Sequence, residues 1–259
     1  FGKDAALFVP SGTMANLISV LSHCNRGDEI LLGNKSHIFV YEAGGTSVFG
    51  GLHSHQLNNN DDGTIDFHDI INGIRNNQDS HHPISKLLCL ENTHNLCFGA
   101  PINSTYFDKI KTIVDEHNLK LHIDGARIFN AAVALKTTVK ELAKNADSIT
   151  CCLSKGLSAP VGSLIMGNEE LIHKAHRLRK SLGGGMRQSG ILAAAGIYSF
   201  DNMINRLEED HENAQLLAKG LSKIDEIKID LSTIHTNILF FNLQNTNIKD
   251  EELIIKLLN

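Results

Sequence analysis

Leu121-His122-Ile123-Asp124-Gly125-Ala126-Arg127 opens the stretch around which the chain is organised, and Cys151-Cys152-Leu153-Ser154-Lys155-Gly156 closes it. Each segment is an apolar run that stops abruptly at a charged residue. Such runs are expected of strands buried on both faces of a parallel sheet. Ligands of open α/β sheets sit in the crevice outside the carboxyl ends of the strands. The pattern therefore predicts an α/β chain with a mostly parallel sheet, and one shared cleft holding Asp124 and Lys155.

A lysine ending a buried strand has two readings. It is a solvated surface amine, as most lysines are. Or it is partly desolvated, loses its proton more easily, and forms a Schiff base with a carbonyl. Asp124 also reads two ways, as a turn or cap residue or as a buried anion with chemical work. Together they fit one requirement of pyridoxal phosphate (PLP) chemistry: an amine for the cofactor aldehyde and an anion beside its ring nitrogen.

Three blocks make the sequence recognisable: His-Ile-Asp-Gly-Ala-Arg-Ile-Phe-Asn at 122–130, Cys-Leu-Ser-Lys-Gly-Leu at 152–157 and Gly-Gly-Gly-Met-Arg-Gln at 183–188. In that order they resemble the low-specificity L-threonine aldolases of the beta-eliminating lyase superfamily, which are fold-type-I PLP lyases. The likeness runs from Phe1 to about Leu243. It implies retro-aldol cleavage of L-threonine or L-allo-threonine to glycine and acetaldehyde. It implies that Lys155 holds PLP, Asp124 faces the pyridine nitrogen, and His37 stacks on the ring. His94 then lies near the substrate hydroxyl as the base. Arg127 lies near the phenolate oxygen, and Arg187 helps hold a cofactor phosphate, one in the neighbouring subunit. That last role implies a homo-oligomer, dimer or tetramer, with shared sites.

Other features are read from the residues. Pro10-Ser11-Gly12-Thr13 precedes an amphipathic segment, Met14 to Cys24. Ser11, Gly12 and Thr13 at a helix start present free N–H groups to an anion, here the phosphate; the alternative is an ordinary N-cap. His37 follows the strand Glu29 to Leu32. Glu91-Asn92-Thr93-His94 ends the strand from Lys86 and is a site candidate by position, or turn polarity alone. Arg127 makes either a cofactor contact or an Asp124–Arg127 pair on one helical turn. His53-Ser54-His55 places two imidazoles on one side of a strand. No third ligand stands out, so no metal site is expected.

The 259 residues are 42% hydrophobic and carry a net charge of −5. This supports one large core and a small second domain. The expected division is a PLP-binding large domain over 1–200 and the start of a smaller α+β domain over 201–259. Within it, Ser189 to Leu221 reads as one long helix, followed by strands Ile227 to Leu231 and Asn237 to Leu243. Dispersed basic residues argue against nucleic acid and anionic membrane as partners. No apolar run approaches the roughly 20 residues that span a bilayer. Five cysteines without C-x-x-C spacing read as core thiols of a reducing compartment, with cytosol expected and a mitochondrial location the alternative. The ends read as those of a fragment. The family's carboxylate-binding arginine would then fall beyond Asn259, and the chain could hold PLP poorly or turn over nothing.

Overall fold

The computed structural model describes residues 1–258. The first half contains β1 (Ala5–Val9), α1 (Gly12–His23), β2 (Glu29–Gly33), α2 (His37–Val40), α3 (Gly45–Gly50), β3 (His53–Leu57), α4 (Phe67–Gly73), β4 (Ser85–Glu91) and α5 (Ser104–Glu116). Then come β5 (Lys120–Asp124), α6 (Ile128–Ala134), α7 (Val139–Ala143), β6 (Ser148–Cys152), β7 (Ser163–Gly167) and α8 (Glu169–Ser181). The chain continues with α9 (Gly190–Asn202), α10 (Leu207–Leu221), β8 (Ile227–Lys228), β9 (Asn242–Leu243) and α11 (Asp250–Leu258).

Seven strands form one sheet in the order β1-β7-β6-β5-β4-β2-β3. The five from β3 to β6 are parallel, and β7 runs antiparallel to both β6 and β1. The alternation of side chains along a strand separates two cores. Leu88, Leu90, Leu121, Ile123 and Ile149 pack with Phe107, Ile110 and Ile128 of α5 and α6. On the opposite face Ile30, Leu32, Leu87 and Cys89 pack with Val20 and Cys24 at the end of α1. With helices on both faces, the strands must be apolar throughout, which is why β2, β5 and β6 read as continuous buried runs.

The sheet explains two features of the sequence. His53 and His55 find a carboxylate: parallel pairing sets Glu29 beside His53, and the fully buried Glu29 lies 2.9 Å from His53 Nδ1 and 3.6 Å from His55 Nδ1. The Arg75 guanidinium joins them at 3.4 Å. The five cysteines are free and buried.

Two expectations need correction. The long helix expected from Ser189 to Leu221 is two helices, α9 and α10, with a 3-10 turn at Ile204–Arg206 between them. The turn re-aims the chain so that Leu207, 1% exposed, enters the main core and α10 lies on α6. The two expected C-terminal strands shrink to a two-residue ladder, β8 with β9.

Candidate active site

Asp124 is the last residue of β5 and pairs in register with Glu91, the last of β4. Lys155 lies three residues past the end of β6, which is parallel to β5. His37 opens α2 just beyond β2. Four strand ends thus converge on a cavity of about 370 Å3 lined by His37, Tyr41, Glu91, Asn95, Asp124, Ala126, Arg127 and Lys155. That volume suits a small ligand. A larger depression of about 490 Å3, beside Asp230 and His235, lacks an amine facing a buried acid.

Asp124 is 4% exposed. Its Oδ1 accepts from the Ala126 N–H at 3.1 Å and its Oδ2 from Asn16 Nδ2 at 2.8 Å. The same Asn16 nitrogen donates to Glu42 Oε1 at 2.8 Å, and His37 Nδ1 lies 3.0 Å from that oxygen. His37, Glu42 and Asp124 offer ligand atoms within 4.8 Å of one another, and hydrogen bonds through Asn16 already account for this spacing. Burial pushes the Glu42 carboxyl above its ordinary range, and His37 draws it back. Reciprocally, the hydrogen bond that His37 donates to Glu42 raises the His37 imidazole, with Asp124 and Glu91 adding to it.

Glu91 is buried and both its oxygens accept backbone N–H groups, from His37 and Asn95, each at 2.8 Å. Burial, and then the Asp124 charge, push it up to about 7. Arg127 makes no ion pair with Asp124; its guanidinium donates to Asn95 Oδ1 at 3.1 Å while lining the cavity.

Ser11, Gly12 and Thr13 form the start of α1, with Ser11 and Thr13 exposed. Ser11 Oγ caps the helix by accepting from the Met14 N–H at 3.2 Å. The first turn carries no acidic residue that would repel an anion. A Cβ on Gly12 would sit 2.8 Å from Cys152 Sγ, so glycine lets this helix start close against the end of β6.

His94 falls outside the cavity. It is 1% exposed, and both ring nitrogens lack a hydrogen-bond partner. The segment after β4 folds back through the His94 N–H to Ala100 and the Gly99 N–H to His94, and a Cβ on Gly63 would lie 2.6 Å from His94 Cβ. Burial lowers the ring to about 4, which leaves it neutral. Position at a strand end put His94 near the crevice, but it is not among the residues that line the cavity. Arg187 is exposed and is not among the cavity residues of its own chain.

Sequence reasoning passed over Asn16, Tyr41, Glu42 and Asn95. Asn16 carried a signal: a polar residue among Met14, Ala15, Leu17 and Ile18, on a helix face bound for the core. Glu42 carried none, since its burial depends on α2.

A family model for beta-eliminating lyases matches residues 1–244. A probable low-specificity L-threonine aldolase of Arabidopsis thaliana is 50% identical over 244 residues, covering 93% of this chain and 69% of that protein. The low specificity L-threonine aldolase of Escherichia coli K12 is 46% identical over 246 residues, covering 95% and 72%. The crystal structure of a putative L-allo-threonine aldolase from Listeria monocytogenes superposes with a TM-score of 0.77 at 21% identity, covering 91% of this chain and 64% of that one. The chain thus spans somewhat under two thirds of that crystallised chain, and the likeness establishes the fold-type-I architecture. By sequence, the chain belongs to the beta-eliminating lyase family, among the low-specificity L-threonine aldolases.

Proposed function

We propose that this chain cleaves L-threonine and L-allo-threonine to glycine and acetaldehyde with pyridoxal phosphate as cofactor. One observation carries the reading: Lys155 and the buried Asp124 line one cavity together with His37 and Arg127. The donor set fits the cofactor, supplying an amine for an aldehyde, a carboxylate for a pyridinium, a guanidinium for a phenolate, and a nearby helix start for a phosphate. When bound, the cofactor supplies a sink for the electron pair released as Cα–Cβ breaks.

The chain's own residues do the rest. Lys155 Nζ would hold the cofactor's aldehyde carbon. Asp124 Oδ2, tethered by Asn16, would hold the charge that favours a protonated ring nitrogen. The β-hydroxyl proton needs an acceptor inside the cavity, and His94 is not among its lining residues. His37 can: its Nδ1 is engaged by Glu42, and its Nε2 has no hydrogen-bond partner among the described residues. The test of the whole reading is product analysis with the purified chain. Glycine plus acetaldehyde is expected; pyruvate plus ammonia would assign a β-elimination instead.

The acceptor role fixes a sign. His37 holds its proton to higher pH because of Glu42, and it accepts a proton only once it has lost that one. Catalytic efficiency should therefore rise with pH through the His37 titration. Glu42→Gln removes the anion that raises His37, so the rising limb should move to lower pH. A kcat/KM profile of the variant that superposes on the parent's would remove His37 as the acceptor.

No helix among the described residues is long and apolar enough to cross a membrane. The five free thiols suit a reducing compartment such as the cytosol. We further propose a homo-oligomer with sites completed across the interface. Ile191, Ile197 and Tyr198 stand exposed on α9, at 78%, 63% and 65%, immediately after the loop that carries Arg187. Sedimentation velocity should show a dimer or larger, and dilution to monomer should release cofactor. A monomer that retains its cofactor would argue against shared sites.

A further inference from the structure

Behind the cavity, between α1 and the sheet, a run of polar side chains is buried where the pattern of the core calls for apolar ones. Asn16, His122, Ser148 and Thr150 are each 2% exposed or less. Asn16 and His23 lie two turns apart on α1, and His122 pairs in register with Ser148. Polar groups buried without partners are destabilising, so these contacts are a constraint.

The contacts admit one consistent set of proton positions. Asn16 Nδ2 faces two carboxylates, which are acceptors, so it is the donor end of the amide. Asn16 Oδ1 must then accept, and does so from Thr150 Oγ1 at 3.1 Å and from His122 Nε2 at 3.3 Å. With its proton on Nε2, His122 accepts at Nδ1 from Ser148 Oγ at 2.8 Å. Ser148 Oγ in turn accepts from His23 Nε2 at 2.8 Å. Burial lowers His122 to about 4 and His23 to about 3, so both rings are neutral, as the scheme requires.

We propose that Asn16 is a positioning residue of this site: its amide, locked from behind by Thr150 and the His23–Ser148–His122 chain, clamps Asp124 and Glu42 side by side. Each proton of Nδ2 answers one carboxylate oxygen. The clamp lowers the cost of two adjacent buried negative charges, aims Asp124 at the cavity, and keeps Glu42 anionic beneath His37. Two like charges sharing a site otherwise drive one group to take up a proton. The groups facing Glu42 are His37, Asp124 and Asn16, and of these Glu42 is the one that burial already inclines to protonate.

The kinetic part rests on the aldolase reading; the spectroscopic part does not. Asn16→Leu keeps the volume and removes the clamp. In the cofactor-free protein at neutral pH, infrared spectroscopy should show a protonated-carboxyl carbonyl band additional to the one that Glu91, pushed up to about 7, already gives in the parent. Glu42→Gln added to Asn16→Leu should abolish the additional band. In the cofactor-loaded protein, kcat should fall about 30-fold with KM within about three-fold, the split expected of lost transition-state stabilisation. Thr150→Val frees the amide without touching either carboxylate, and should show the same two effects at smaller amplitude. Should Asn16→Leu fail to fold, Thr150→Val decides alone. A folded variant with no new carboxyl band and an unchanged kcat overturns the proposal, whereas a new band without any aldolase turnover in the parent supports the clamp and overturns the aldolase reading.

Discussion

Lys155→Ala is expected to abolish the visible absorption of covalently held cofactor and to lower turnover by about 10⁴-fold or more, the scale seen when a nucleophile acting as part of a unit is removed. The same substitution should leave the fold almost untouched. The Lys155 ammonium makes no ion pair and no side-chain hydrogen bond among the described residues. Only its backbone carbonyl is engaged, accepting from the Ser158 N–H at 2.8 Å, and alanine keeps that bond. A half-buried side chain without partners usually contributes within about 0.5 kcal/mol to stability. The expected variant is thus colourless, inactive and as thermostable as the parent. An absorption spectrum, a thermal melt and a glycine assay on one preparation check all three. Retained retro-aldol turnover would refute the role given to Lys155.

Why Asp124 and Lys155 were legible, and much around them was not, follows from what a local pattern can carry. A strand covered on both faces must be apolar along its length, so the charge that ends it stands out in the sequence. Asp124 and Lys155 are such residues, and β5 and β6 run parallel as their apolar runs predict. The antiparallel course of β7 and the edge position of β1 depend on which strands they meet. No periodicity within Ser163–Gly167 encodes that. The break between α9 and α10 was invisible for a similar reason: the residues from Asn202 to Arg206 permit a helix, and the core's demand for Leu207 overrides them.

His94 and Asn16 mark the limit at the site itself. Both are polar residues next to elements that reach the crevice. Strand-end position and the family resemblance favoured His94, which is buried where its N–H pairs with Ala100 and is not among the cavity's lining residues. Asn16 is on an interior helix face and reads as a misplaced residue in an apolar stretch. Its partners Glu42, Asp124 and Thr150 lie 26, 108 and 134 positions away. Contacts of that range depend on the register of a sheet and the docking of α1 upon it. A buried polar residue on an apolar helix face was the local trace of a distant network.

Asp124→Asn should separate catalysis from stability in a way that a structural carboxylate would not. Asparagine keeps the shape and retains an acceptor for the Ala126 N–H, while losing the charge. Taking away an anion aimed at developing positive charge in a water-excluded site costs on the order of 10²–10³ in kcat. Cofactor affinity should change by less than about ten-fold, because Lys155 and the phosphate contacts would still hold it. The fold loses the Asn16 hydrogen bond, because the amide nitrogen that replaces Oδ2 faces the donating Asn16 Nδ2, and it is relieved of a charge repulsion that offsets the loss. The Asp124 charge pushes up both Glu91 and Glu42, so it opposes the ionisation of its two buried neighbours. With Asp124 neutralised, Glu91 should titrate below about 7 and Glu42 below its present position. Each would then give up its proton at a lower pH. A folded-state carboxyl pKa raised above its unfolded value costs stability at neutral pH, so relief of this repulsion returns part of that cost. With the lost hydrogen bond and the relieved repulsion opposed, the variant is expected to melt near the parent's temperature while turning over some hundred-fold more slowly. If thermal melts and turnover fall together, Asp124 is a structural acid and the charge it places in the cavity is incidental. If stability holds while kcat collapses, the negative charge is kept where the chemistry needs it rather than for the fold.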